Sequence, residues 1–140
     1  LLKEEDSIVY LAGAIKEKEK FDLILVDGDH NYSTVKKECE LLYNLCHDDT
    51  LIIFDDYDGK YKNKDMFYAD RKGYEHVKHK MQNCENSSEY QGLKLPIDNF
   101  IKENDLVAFK QISGPPICVI NKCNSIIKKA EEKKEDLNEK

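Results

Sequence analysis

The sequence predicts an α/β domain: a mostly parallel sheet that ends in an antiparallel hairpin. Three observations predict it. Residues 21–26 form an apolar run (Phe21, Leu23, Ile24, Leu25, Val26) that stops abruptly at Asp27-Gly28-Asp29-His30. A run of this kind is expected of a strand covered on both faces. Residues 33–46 then carry Val35, Cys39, Leu42 and Cys46 at helical spacing, with Lys36, Lys37, Glu38 and Glu40 on the opposite side. A second apolar run, Leu51-Ile52-Ile53-Phe54, leads directly into Asp55-Asp56. Strand, helix, tight turn and strand make a βαβ unit, whose two strands are parallel and whose crossover is right-handed.

The remaining elements follow in order. Ile8, Leu11 and Ile15 mark a helix over residues 7–19, with Asp6 or Ser7 as its N-cap. Asn31 or Ser33 can cap the second helix, and His47-Asp48-Asp49-Thr50 reads as the polar turn before the second strand. A further helix is expected over residues 69–84, with Tyr74, Val77 and Met81 on its inner side. Residues 85–105 read as a loop with one helical turn near 97–101. Residues 106–112 and 117–121 flank Ser113-Gly114-Pro115-Pro116 as a hairpin. From residue 124 lysine and glutamate dominate, which marks 124–140 as a charged tail, helical or disordered, beside a domain over 1–123.

Composition narrows the function. The chain has 140 residues, a formal charge of -6 and a pI near 5.3. No basic stripe is interleaved with aromatics, which speaks against nucleic acid. No apolar run approaches the roughly 18 residues of a membrane span, and no signal-peptide pattern is present. The five cysteines are odd in number and include no C-x-x-C pair, so reduced thiols in a cytoplasmic protein are expected rather than a zinc site.

The acids carry the chemistry. Ligands of open α/β sheets bind at the carboxyl ends of the strands, and Asp27, Asp55 and Asp56 stand at two such ends. Carboxylates brought together repel one another unless a cation lies between them. Hard oxygen ligands suit Mg²⁺, Ca²⁺ or Mn²⁺, and such a metal could orient and acidify a hydroxyl. His30 lies one turn from Asp27, and histidine is the usual general base near neutral pH. The plainer reading is that these acids cap the elements that follow. His76 and His79 read as a solvated helix face. Tyr57, Tyr61, Phe67 and Tyr68 suit either an acceptor pocket or the packing of a loop.

The stretch Phe21-Asp22-Leu23-Ile24-Leu25-Val26-Asp27-Gly28-Asp29-His30-Asn31-Tyr32-Ser33, followed by Leu51-Ile52-Ile53-Phe54-Asp55-Asp56-Tyr57, resembles class I S-adenosylmethionine-dependent methyltransferases. Within them it is most similar to the family-24, macrocin O-methyltransferase-like branch, with catechol and caffeoyl-CoA O-methyltransferases as more distant relatives. The resemblance implies a Rossmann-like methyltransferase fold, with S-adenosylmethionine and a small-molecule or sugar hydroxyl as substrates. It also implies that Asp27, Asp55 and Asp56 match the Mg²⁺ ligands of the metal-dependent members. His30 falls at the position of the catalytic lysine of the catechol type, so His30 and Asp27 are the expected catalytic pair. Asp6 and Ser7 fall at a turn that touches the cofactor, as Asp27 does.

Two departures stand out. The family's glycine pair before the second strand is replaced by His47-Asp48-Asp49-Thr50. The glycine-rich cofactor loop and its acidic partner would precede Leu1, so the expectation is a C-terminal portion whose first strands are missing. A haloacid-dehalogenase-type phosphotransferase would need Thr or Val where Asn31 stands, and a D-x-D sugar-nucleotide transferase has no second supporting motif. The strongest rival is a non-catalytic half-domain or interaction module derived from the same fold.

Overall fold

The computed structural model describes residues 3–65, 92–111 and 118–121. The expected helix over 69–84, the turn at 113–116 and the charged tail lie outside the described residues.

Helix α1 spans Ser7–Lys16, and its N-cap is Asp6, whose carboxylate accepts from the Ile8 amide at 3.0 Å. It is shorter than the periodicity predicts because Lys18 takes a left-handed φ of 60°, which turns the chain into the next strand. Strand β1 spans Phe21–Val26. Helix α2 spans Tyr32–Leu42, a single 3₁₀ turn covers Tyr43–Leu45, and strand β2 runs from Cys46 to Phe54. Helix α3 covers Lys94–Glu103, strand β3 Val107–Lys110 and strand β4 Cys118–Asn121.

The sheet order is β1-β2-β4-β3. β1 and β2 are parallel, as the βαβ unit requires, while β4 is antiparallel to both β2 and β3. Over the described residues the sheet is therefore mixed rather than mostly parallel, because the hairpin supplies half of its strands. Val26 pairs with Phe54, Phe54 with Cys118, and Cys118 with Lys110, which fixes the row of residues at the carboxyl edge of β1 and β2.

Three further expectations are corrected. The polar residues His47–Thr50 are not a turn but an irregular stretch of β2: four residues of β2 lie between Cys46 and Leu51 against one of β1 between Phe21 and Leu23. Thr50 stabilises it, giving its hydroxyl proton to the Phe21 carbonyl at 2.6 Å and accepting from the His47 amide at 2.9 Å. The single turn near 97–101 is part of the ten-residue helix α3. Its Pro96 lies in the first turn, where a missing N–H costs no helical bond.

The third correction concerns β1, which is not covered on both faces. Val35, Cys39 and Leu42 of α2 and Ile97 and Phe100 of α3 pack with Ile52, Phe54, Cys118 and Ile120 of the sheet, and Ile24 and Val26 join that side. On the other side of β1, Leu23 and Leu25 are 59% and 64% exposed. Cys39, Cys46 and Cys118 are buried thiols.

Candidate functional site

The site grows from the paired ends of β1 and β2. The Asp55 amide donates to the Val26 carbonyl at 3.0 Å, extending the ladder one residue past the strand, so Asp27 and Asp55-Asp56 leave the sheet side by side. Asp56 then adopts φ 55°, a left-handed conformation that costs a non-glycine residue roughly 1–2 kcal/mol and that aspartate tolerates better than most. The turn closes through a 2.8 Å bond from the Gly59 amide to the Asp56 carbonyl. Any Cβ on Gly59 would stand 2.9 Å from Asp56 Oδ1, so the glycine leaves room for that carboxylate.

His30 lies between the two acids. Its Nε2 is 3.9 Å from Asp27 Oδ1 and its Nδ1 is 3.6 Å from Asp56 Oδ2. Both separations exceed a hydrogen bond. The imidazole is only 11% exposed, and among the described residues neither ring nitrogen has a hydrogen-bond partner. The Tyr61 ring packs beside it, with centroids 6.2 Å apart. Buried polar atoms are normally satisfied, so the ring is left with hydrogen-bonding capacity that the described residues do not use.

The loop carrying His30 is built from its own acids. Asp29 accepts from the Asn31 amide at 3.2 Å and from the Thr34 hydroxyl at 2.6 Å, an Asx-type turn that commits Asp29 to the backbone. Asn31 occupies the N-cap position of α2 but makes no capping bond, and its buried Oδ1 is unpartnered. The cap comes from a distance: Asp65 Oδ1 accepts from the Tyr32 amide at 2.8 Å and from the Gly92 amide at 3.2 Å. One carboxylate thereby fastens the start of α2 to the start of α3.

Among the described residues no three His, Cys, Asp or Glu side chains are grouped as a cation requires. His30 stands between Asp27 and Asp56, whose side chains remain 56% and 40% exposed.

Asp6 and Ser7 are engaged in structure. Asp6 caps α1, and the Ser7 hydroxyl donates to Glu38 Oε1 at 2.7 Å. Glu38, which the helical pattern placed on the solvated side of α2, is buried, with its second carboxylate oxygen unpartnered. Burial pushes its pKa up and Asp29 and Asp6 add to that, while the Ser7 bond opposes it. A carboxyl with a raised folded-state pKa binds more protons folded than unfolded, so its contribution to stability falls as pH rises above the unfolded value, about 4.3. Glu38→Gln is therefore expected to raise the unfolding midpoint at pH 8 by a few degrees. At pH 4, where both states are protonated, the gain should vanish. A midpoint that the substitution lowers equally at both pH values would show that the charge at Glu38 is not the source of strain.

A second polar group at the same edge had no signal in the sequence. Tyr57, almost fully buried, donates its hydroxyl to Asp98 Oδ1 at 2.5 Å, and Lys110 Nζ donates to the same oxygen at 2.7 Å. Burial raises the Tyr57 pKa to about 12, with the Asp98 bond adding to it. The ammonium groups of Lys94 and Lys110 stand 5.2 and 5.0 Å from the centre of its ring. Of the two readings open for Tyr57, packing is the one this burial supports.

A family model described as a methyltransferase domain matches residues 2–57, the stretch that holds α1, β1, α2, β2 and the acids at the strand ends. That stretch is similar to an S-adenosylmethionine-dependent methyltransferase domain, and the mixed sheet with its helices is compatible with such a fold. No curated protein and no solved structure matches the chain.

Proposed function

We propose that this chain belongs to an S-adenosylmethionine-dependent O-methyltransferase in which His30 is the general base for a hydroxyl of a small molecule or sugar. The observation that carries the reading is the His30 imidazole, buried at the carboxyl edge of two parallel strands, with both nitrogens unpartnered and a carboxylate on each side. When bound, the cofactor supplies an electrophilic methyl group on a sulfonium. Asp27, with a half-exposed carboxylate at the strand end, fits as an acceptor of cofactor hydrogen bonds. The N-terminal end of α1 is tied to α2 through the bond from the Ser7 hydroxyl to Glu38. His30 takes the acceptor's hydroxyl proton, and the imidazolium so formed is attracted by Asp27 and Asp56 on either side.

The test is calorimetric titration of the full-length protein with S-adenosylmethionine. Saturable binding is expected, and Asp27→Asn should weaken it at least tenfold, about 1.4 kcal/mol. Absence of binding would sink the reading. It would favour instead an interaction module, for which the exposed Leu23 and Leu25 on β1, an edge strand among the described residues, are the specific observation.

A further inference from the structure

The carboxyl edge carries a group of lysines that the methyl-transfer chemistry leaves unused. Lys94 Nζ lies 2.9 Å and Lys62 Nζ 3.2 Å from one oxygen, Asp58 Oδ1, and Lys110 Nζ lies 2.7 Å from Asp98 Oδ1. The bond from Lys94 and then that from Lys62 hold the Asp58 carboxyl below the usual carboxylate range. Among the described residues three ammonium groups therefore meet two carboxylates, one positive charge in excess within a chain of net charge -6. Each ammonium has three N–H donors, and only one from each is used in these pairs. Lys94 and Lys110 also flank a single ring, that of Tyr57, so the two charges are held near each other rather than spread over the surface. The three side chains are 34–41% exposed, which leaves them open to a solute.

Register places this group relative to His30. Lys110 belongs to the row Val26, Phe54, Cys118, Lys110, and its strand lies two positions from β2. At about 4.8 Å per strand, Lys110 stands on the order of 10 Å from the end of β2, which Asp56 follows, and about 14 Å from the end of β1, which Asp27 follows. Asp56, the neighbouring acid in sequence, is turned toward His30 rather than toward the lysines.

We infer that Lys62, Lys94 and Lys110 form a subsite for an anionic group, phosphate or carboxylate, on the molecule whose hydroxyl faces His30. The inference rests on the acceptor reading given above, and it narrows the acceptor from any hydroxyl compound to one with an anion roughly 10–14 Å from the reacting oxygen.

The experiment is a titration of the protein with inorganic phosphate at constant ionic strength, with chloride as the balancing anion, followed by NMR of the lysine side chains. Lys94 and Lys110 signals should shift saturably, and Lys94→Gln combined with Lys110→Gln should weaken the effect at least fivefold. Lys37→Gln, on the outer face of α2, should leave it unchanged. Equal, linear shifts at all exposed lysines, or the same shifts with chloride alone, would overturn the subsite. The readout needs neither the methyl donor nor turnover, so failure here and failure of donor binding are separate results.

Discussion

Gly92→Ala is expected to lower the unfolding midpoint by roughly 10 °C. Gly92 has φ 60°, and a Cβ there would lie 2.3 Å from the Tyr61 carbonyl oxygen, 2.5 Å from the Lys64 amide and 2.6 Å from the Lys62 carbonyl oxygen. The left-handed backbone alone costs an alanine about 1–2 kcal/mol. The steric conflict is with main chain, which no rotamer change can relieve. Movement of that loop would break the bonds from the Leu93 amide to Tyr61 and from the Lys94 amide to Lys62, and it would pull Gly92 from Asp65. Since Asp65 also caps α2, the damage reaches the His30 loop. Thermal unfolding checks the midpoint, and amide exchange at Tyr32 checks the relay. An unchanged midpoint would mean that the 61–64 loop moves aside freely.

The second large effect is on turnover. His30→Gln should reduce methyl transfer by roughly 10²–10⁴-fold, the usual contribution of a general base, while binding of the methyl donor stays within about threefold because Asp27 is untouched. The same variant should unfold no more easily than the parent. A side chain whose buried nitrogens are unsatisfied contributes little to the fold, and removing such groups can be neutral or stabilising. Lost activity with retained stability is the signature of a residue kept for chemistry. Turnover within fivefold of the parent would remove His30 from the mechanism. A large drop in midpoint would make it a packing residue instead.

Local periodicity made the βαβ unit legible. The apolar runs at 21–26 and 51–54 and the helical spacing of Val35, Cys39 and Leu42 each lie within one element, and all appear in the structure. His30 was legible because it follows a strand end within four residues. The misses have long-range causes. Glu38 looked solvated because it is charged, and its partner Ser7 is 31 residues away. The cap of α2 comes from Asp65, 33 residues on, which no capping pattern near Asn31 could reveal. The lower half of β2 read as a turn because His47, Asp48 and Asp49 are polar, yet the Thr50 hydroxyl ties that stretch to Phe21 across the sheet. Pro96 suggested a loop because only its place within the first turn of α3 makes it harmless.

Leu23 and Leu25 project from a strand whose outer backbone edge has no partner among the described residues. Such an edge is a template on which another chain can extend the sheet. Encounters between molecules scale with the square of concentration, whereas folding does not, so dilution favours the single chain. The opposing term is the repulsion of a net charge of -6, which added salt screens over about 10 Å at 0.1 M. Colloidal behaviour is thereby coupled to ionic strength through two leucines and the unpaired edge of β1.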